Sequence, residues 1–177
     1  MAKTLALDLL IKKKKRNYGV ILNDFNFASW LVGFIDGEGC FSISFSRNRR
    51  LTLGIEVRPS FSVSQNSRSV EILRQINEYF QCGSIRESRG DNTYKYEVRS
   101  ITELRTIIIP FFKEYPLLTS KLNDFLLFEQ VCLIISKEDH TTIKGLKEII
   151  QLVAQMNPSG KRRIPLKSLL EFLESKS

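Results

Sequence analysis

The sequence predicts an α+β protein in which helices and antiparallel hairpins alternate along the chain. Three observations predict it. The stretch from Ser29 has helical spacing but runs into Asp36-Gly37-Glu38-Gly39, which a helix does not continue. From Phe41 the apolar period drops to two, the mark of a half-buried strand. A second helix and a second hairpin follow at 69–99, before a helical C-terminal part.

Before the first helix, Met1 to Asn26 reads as an extension ahead of a domain over 27–177. Leu5 to Ile11 is apolar, and Lys12 to Arg16 is five consecutive cations. A targeting signal, a DNA-contacting arm and a short helix with a solvated basic tail all fit. The segment is Lys-rich and carries Asp8, unlike an Arg- and Ser-rich transit peptide. Asn23, Asp24 and Asn26 are each suited to start the helix that follows.

In that first helix Ser29, Gly33 and Gly37 recur every four residues and share one face. The face has almost no side chain, so another backbone can approach closely. Trp30, Leu31, Phe34 and Ile35 fall on the other sides, where a core takes them. The helix then ends in carboxylates, against the negative end of its macrodipole. Something positive, such as a metal ion, resolves that conflict.

Phe41, Ile43 and Phe45 alternate with Ser42, Ser44 and Ser46, and Arg47-Asn48-Arg49-Arg50 makes a basic turn. Leu51 to Gln65 alternates again. Leu51, Leu53, Ile55, Val57, Phe61 and Val63 point inward; Thr52, Glu56, Arg58, Ser60, Ser62 and Ser64 point outward. Pro59 interrupts hydrogen bonding and marks a bend or bulge. Ser69 to Phe80 is a helix with a stripe of Val70, Leu73, Ile76, Tyr79 and Phe80, ended by Gly83. Ser84 to Ser88 and Tyr94 to Arg99 pair around Arg89-Gly90-Asp91-Asn92. Ile85, Tyr94, Tyr96 and Val98 are inward; Arg86, Ser88, Lys95, Glu97 and Arg99 are outward. A ribbon with such an outward face fits a DNA major groove, and an ordinary sheet with a wet face has the same pattern. Thr102 to Lys113 is a further helix, with Pro110 near its end or kinking it. Lys121 to Ser136 and Thr142 to Met156 are helices. A Pro-Ser-Gly turn, the basic Lys161-Arg162-Arg163 patch and a short helix from Leu166 complete the chain.

Lys and Arg outnumber Asp and Glu by 27 to 19, a net charge of +8 that points to an anionic partner, nucleic acid or a membrane surface. The positive charge lies partly in hairpins rather than on one amphipathic helix, which disfavours the membrane surface. No apolar run is long enough to cross a bilayer. Cys40, Cys82 and Cys132 are far apart and His140 is the only histidine. That spacing argues against a zinc site or disulfide framework and fits a reducing compartment.

Leu31-Val32-Gly33-Phe34-Ile35-Asp36-Gly37-Glu38-Gly39 resembles the LAGLIDADG motif of the homing endonucleases. The glycine spacing, apolar run and final acidic residue agree, with Glu38 where Asp is commoner. Gln65, ending Phe61-Ser62-Val63-Ser64-Gln65, is similar to the family's polar residue near the active site. Lys121, within Tyr115-Pro116-Leu117-Leu118-Thr119-Ser120-Lys121, resembles its basic residue beside the scissile phosphate; Pro110-Phe111-Phe112 is also typical. The resemblance runs from about Phe27 to Met156 and is loose in the hairpins.

The resemblance implies an αββαββα fold with a four-stranded, saddle-shaped sheet over double-stranded DNA. With one motif copy it implies a homodimer joined at Ser29, Gly33 and Gly37, and a near-palindromic site. It implies hydrolysis of both strands with Mg²⁺, for which Mn²⁺ substitutes, while Ca²⁺ supports binding without cleavage. Glu38 is the implied carboxylate ligand, beside the Gly37 carbonyl. Gln65 orders the attacking water, Lys121 stabilises charge on the phosphate or tunes that water, and Asp36 holds the motif turn together. The implied DNA-binding set is Ser42, Ser44, Ser46, Asn48, Arg49, Glu56, Arg58, Ser60, Ser62, Ser64, Arg86, Ser88, Lys95 and Arg99. An organelle is the implied location. An intron maturase that binds RNA, or an inactive DNA-binding protein, has the same fold.

Overall fold

The computed structural model describes residues 26–88, 90–157 and 164–175. The N-terminal basic run, Arg89, the Pro-Ser-Gly turn and the 161–163 patch lie outside the described residues. The elements are α1 (Phe27–Glu38), β1 (Gly39–Arg47), β2 (Ile55–Asn66), α2 (Val70–Phe80), β3 (Ser84–Glu87) and β4 (Thr93–Val98). There follow α3 (Ile101–Glu103), a π-helical turn (Leu104–Ile108), α4 (Ile109–Glu114), α5 (Lys121–Ser136), α6 (Ile143–Gln155) and α7 (Leu166–Glu174).

The four strands form one antiparallel sheet in the order β1-β2-β4-β3. Strand side chains alternate between faces, and register pairs Phe41 with Phe61, Phe61 with Val98, and Val63 with Tyr96. That face is buried under the helices. Phe41 packs against Phe112, Phe125 and Phe128 with ring centroids 5.2, 5.3 and 5.4 Å away. The core continues without a break from Leu31 and Ile35 through Leu146, Ile149 and Val153 to Leu169 and Leu173. At its far end α7 meets the first hairpin, where the Arg47 guanidinium lies 3.6 Å from the Phe172 ring centroid.

The structure departs from the sequence reading at several points. β2 begins only at Ile55, so Leu51 and Leu53 belong to the connection, not the strand. Asn48, Leu51 and Gly54 tie that loop to itself through backbone bonds, and Leu51 is exposed. Pro59 causes no bulge: it pairs in register with Ile43. β4 partners β2 only from Phe61 onward, so at Pro59 no bond is lost on that edge. α2 ends not at Gly83 but at Gln81, which adopts the left-handed conformation with φ 52°. Pro110 lies four residues before the end of the third helical region, at the start of α4 and directly after the π turn. Proline has no N–H to give the helix, and the backbone widens into the π turn just before it.

Gly83 joins α2 to β3 with φ +74°, and a Cβ there would lie 2.7 Å from Val98 Cγ2 and 2.8 Å from the Glu97 carbonyl oxygen. Gly83→Ala is expected to lower stability by roughly 1–3 kcal/mol through backbone strain and this contact. Urea unfolding is the measurement; an unchanged midpoint would contradict the close approach of β3 to β4.

Candidate active site

The site is built at the end of α1. Asn26 starts the helix, its side chain accepting from Ala28 N (2.9 Å) and Ser29 N (3.2 Å). Leu31 and Ile35 are fully buried and fix the helix against the sheet. Ser29, Gly33 and Gly37 are exposed, and a Cβ at either glycine would meet nothing within 4 Å. Trp30 is not in the core. It is 37% exposed and stacks on Phe34 with centroids 5.1 Å apart, on the flank of the small-residue face. At Gly39 the chain turns directly into β1, where a Cβ would strike the Ile35 carbonyl at 2.7 Å.

The last turn of α1 contains no basic residue, yet it carries Asp36 and Glu38. The conflict with the helix dipole is resolved from elsewhere in the chain. Lys121 Nζ donates to the Ile35 carbonyl (2.9 Å) and the Gly37 carbonyl (3.2 Å). It thereby places a cation on the carbonyls at the helix end, adding to the Gly39 N–H that already donates to Ile35. Asp36 accepts from Leu118 N (2.9 Å), Thr119 N (3.1 Å) and Thr119 Oγ1 (2.6 Å). Asp36 therefore fastens the motif helix to the loop before α5, rather than holding its own turn.

Burial alone would raise the Asp36 carboxyl. The Thr119 hydroxyl, the two N–H groups and nearby Lys121 outweigh it and hold the group below its ordinary 3.8. Burial lowers the Lys121 ammonium, against Asp36, Cys40, Glu38 and Asp124, which favour its charge. Burial likewise raises the Cys40 thiol, against the nearby charges of Lys95 and Lys121.

Glu38 is exposed, and Gln65 Nε2 donates to its Oε2 at 3.4 Å. Gln65 shares a sheet face with Phe61 and Val63, the face toward the helices, and that parity carries it to the end of α1. The structure thus brings Glu38, Gln65 and Lys121 together around one helix terminus. Among the described residues no three His, Cys, Asp or Glu side chains gather as a metal-ligand group. Glu38 and the Gly37 carbonyl are hard-oxygen donors that suit Mg²⁺ or Ca²⁺. They make a complete set only with oxygens from outside the chain.

The other sheet face carries the residues expected to meet DNA, but many of them are occupied within the protein. Ser42 and Ser44 donate to the carbonyls of Ser60 and Arg58. Ser46, Asn48 and Arg58 all donate to Glu56. Ser60 and Ser62 lie on this face yet are buried, as is Glu97. Glu97 gathers Ser60, Arg86, Lys95 and Arg99 around one carboxylate. Arg49, Ser64, Arg86 and Arg99 stay exposed; Lys95 and Ser88 are half-buried, with Ser88 just past the end of β3. Sequence reasoning missed Thr119 and the role of Glu97. The signal for Glu97 was there: an acidic residue alternating with Lys95 and Arg99, one register step from Arg86.

An exposed carboxylate at a helix end, flanked by an amide and an ammonium, beside a sheet face lined with cations, defines an αββαββα protein with one helix-end acidic site. The model of the LAGLIDADG endonuclease family matches residues 31–132. That is more than half of the chain, which belongs to this family. It is 35% identical over 130 residues to probable intron-encoded endonuclease 2 of Neurospora crassa, covering 73% of this chain and 29% of that protein. The chain spans only about a quarter of the length of this and two further relatives. Among solved structures it resembles the archaeal intron-encoded homing endonuclease I-Vdi141I complexed with DNA. There the TM-score is 0.77 at 30% identity, over 84% of this chain and 94% of that one. It also resembles I-SmaMI bound to an uncleaved DNA target with calcium ions, with TM-score 0.77 at 34% identity, over 84% of this chain and 49% of that one.

Asp36→Ala is expected to lower stability at neutral pH by about 1.5–3 kcal/mol, the scale of hydrogen bonds to a charged acceptor. The folded carboxyl titrates below its ordinary value, so its contribution is full above pH 3.8 and is lost as pH falls through the folded value. The wild type and variant should therefore converge in acid. Thermal unfolding of both across pH 2 to 7 measures it (roughly the carboxylate titration range).

Proposed function

We propose that this chain is a site-specific DNA endonuclease that works as a homodimer. The observation that carries this reading is the convergence of Glu38, Gln65 and Lys121 at the exposed end of α1. The match to nearly all of I-Vdi141I, complexed with DNA, supports duplex DNA as the partner. The match to half of I-SmaMI supports one chain supplying half of a two-unit assembly. The open Ser29/Gly33/Gly37 face suits an isologous contact, which favours a near-palindromic site. Relatives named for ND4 and cox1 introns support an organellar intron as the source.

In this reading Glu38 and the Gly37 carbonyl would hold a divalent cation. Such an ion, when bound, polarises the phosphate and makes water a better nucleophile at neutral pH. Gln65, anchored to Glu38, orders the water on its other side. Lys121 uses two of its three donors on the helix end. The third serves the phosphate, and its position fixes the Gly37 carbonyl.

Incubation with a randomised duplex library and Mg²⁺, followed by sequencing of cut ends, should return one long site cut in both strands. Intron RNA binding without any duplex cleavage would instead support a splicing role. Glu38→Gln keeps the shape and removes the charge. Gel shifts in Ca²⁺ should remain near wild type while cleavage in Mg²⁺ falls by several orders of magnitude. Cleavage at the wild-type rate would remove Glu38 from the mechanism.

The wild type should sediment as a dimer at micromolar concentration, and Gly33→Leu should separate the subunits. A wild-type monomer, both free and on DNA, would exclude the shared two-helix site.

A further inference from the structure

We propose that Glu97 is a specificity-determining positioning residue, fixing the directions in which Arg86, Lys95 and Arg99 present their charges on the open sheet face. This rests on the reading of that face as the DNA-binding surface. The Glu97 side chain is 3% exposed, while those of Arg86, Lys95 and Arg99 are 53%, 37% and 55% exposed. The charged group of each cation therefore meets the carboxylate while part of its side chain stays open to solvent.

A buried carboxylate is tolerated only when its oxygens are paired. Here both are. Oε1 accepts from Ser60 Oγ (3.0 Å) and Arg99 Nη2 (3.2 Å), with Lys95 Nζ at 3.4 Å. Oε2 accepts from Arg86 Nη2 and lies 2.9 Å from Arg99 Nε as an ion pair. The register explains how the side chain fits. The residues directly opposite Glu97 are Ser62 on β2 and Ser84 on β3, so the carboxylate lies between short side chains. Between the two arginines a pocket of ≈ 320 Å³ opens, lined also by Gly83 and Glu103. Glu56 on the first hairpin is a weaker version, 30% exposed with one cation on it.

One carboxylate among three cations leaves an excess of two positive charges, so the face still attracts phosphate. What Glu97 changes is freedom. A mobile guanidinium contacts any phosphate and adds affinity for every sequence alike. A guanidinium held in a fixed plane pairs bidentately with guanine only where the base edge meets it. Glu97 thereby trades general affinity for discrimination.

The test uses full-length wild type, Glu97→Gln and Ser60→Ala, each shown to be folded by circular dichroism. Binding to a randomised duplex pool is measured from about 50 to 200 mM salt, and the enriched sequences are read. In Glu97→Gln the salt dependence should steepen by roughly one unit of log–log slope, and enrichment at the contacted positions should fall roughly tenfold. The Nη–H NMR signals of Arg86 and Arg99 in the free protein, whose Nη2 groups donate to Glu97 in the wild type, should broaden or exchange faster. Ser60→Ala keeps the charge, so enrichment should weaken with the slope unchanged, and this variant decides the matter if Glu97→Gln does not fold. A folded variant with wild-type slope, enrichment and Nη–H signals overturns the proposal. A wild type that binds no duplex at any salt overturns the nuclease reading, and the NMR comparison alone then decides whether Glu97 holds the guanidiniums.

Discussion

The geometry of the candidate site depends on how α1 is allowed to end. Two carboxylates at a helix C-terminus oppose the macrodipole, and no cation within the helix offsets them. The compensation comes from α5, whose first residue sends its ammonium onto the Ile35 and Gly37 carbonyls. Asp36 answers in the other direction, taking three hydrogen bonds from Leu118 and Thr119. These reciprocal bonds set where Glu38 stands, and hence where Gln65 reaches it. The apolar packing of Leu31 and Ile35 holds the helix axis, but the polar lock holds its tip.

The sheet shows the same division of labour. Its helix-facing side is aromatic and aliphatic, close-packed from Phe41 to Val98. Its open side is polar, yet far from unconstrained. Two carboxylates, Glu56 and Glu97, organise the cations of the first and second hairpins. A face of free lysines and arginines would repel itself and lose long side chains to rotamer freedom. Internal carboxylates reduce that repulsion and leave an excess of positive charge pointing outward.

Much of this was legible in the residues. The switch from helical period to alternation located α1, β1 and the later part of β2, because side-chain parity is fixed by backbone geometry. The motif, Gln65 and Lys121 pointed to one place, and they meet there. The rest was hidden because alternation assigns a face and not a depth. Ser60, Ser62 and Glu97 are on the expected face but are buried, Glu97 beneath the cations that gather on it. Trp30 illustrates the converse for a helix: its size predicted a core position, and only the placement of α1 on the sheet leaves it partly open. Leu51 and Leu53 extended the alternation by chance into a loop whose own backbone bonds close it. The lock between Asp36 and Thr119 joins residues 83 apart, a distance over which no local pattern reports.

That separation also orders events during synthesis. A nascent chain displays the whole motif once Gly39 has left the ribosome, but the groups that settle its charged tip are made much later. Any fragment that stops before Thr119 has the acidic turn without its fastening and without the ammonium that caps it. The assembled tip thus needs the chain as far as Lys121. Truncated products made along the way carry the motif's letters without its arrangement.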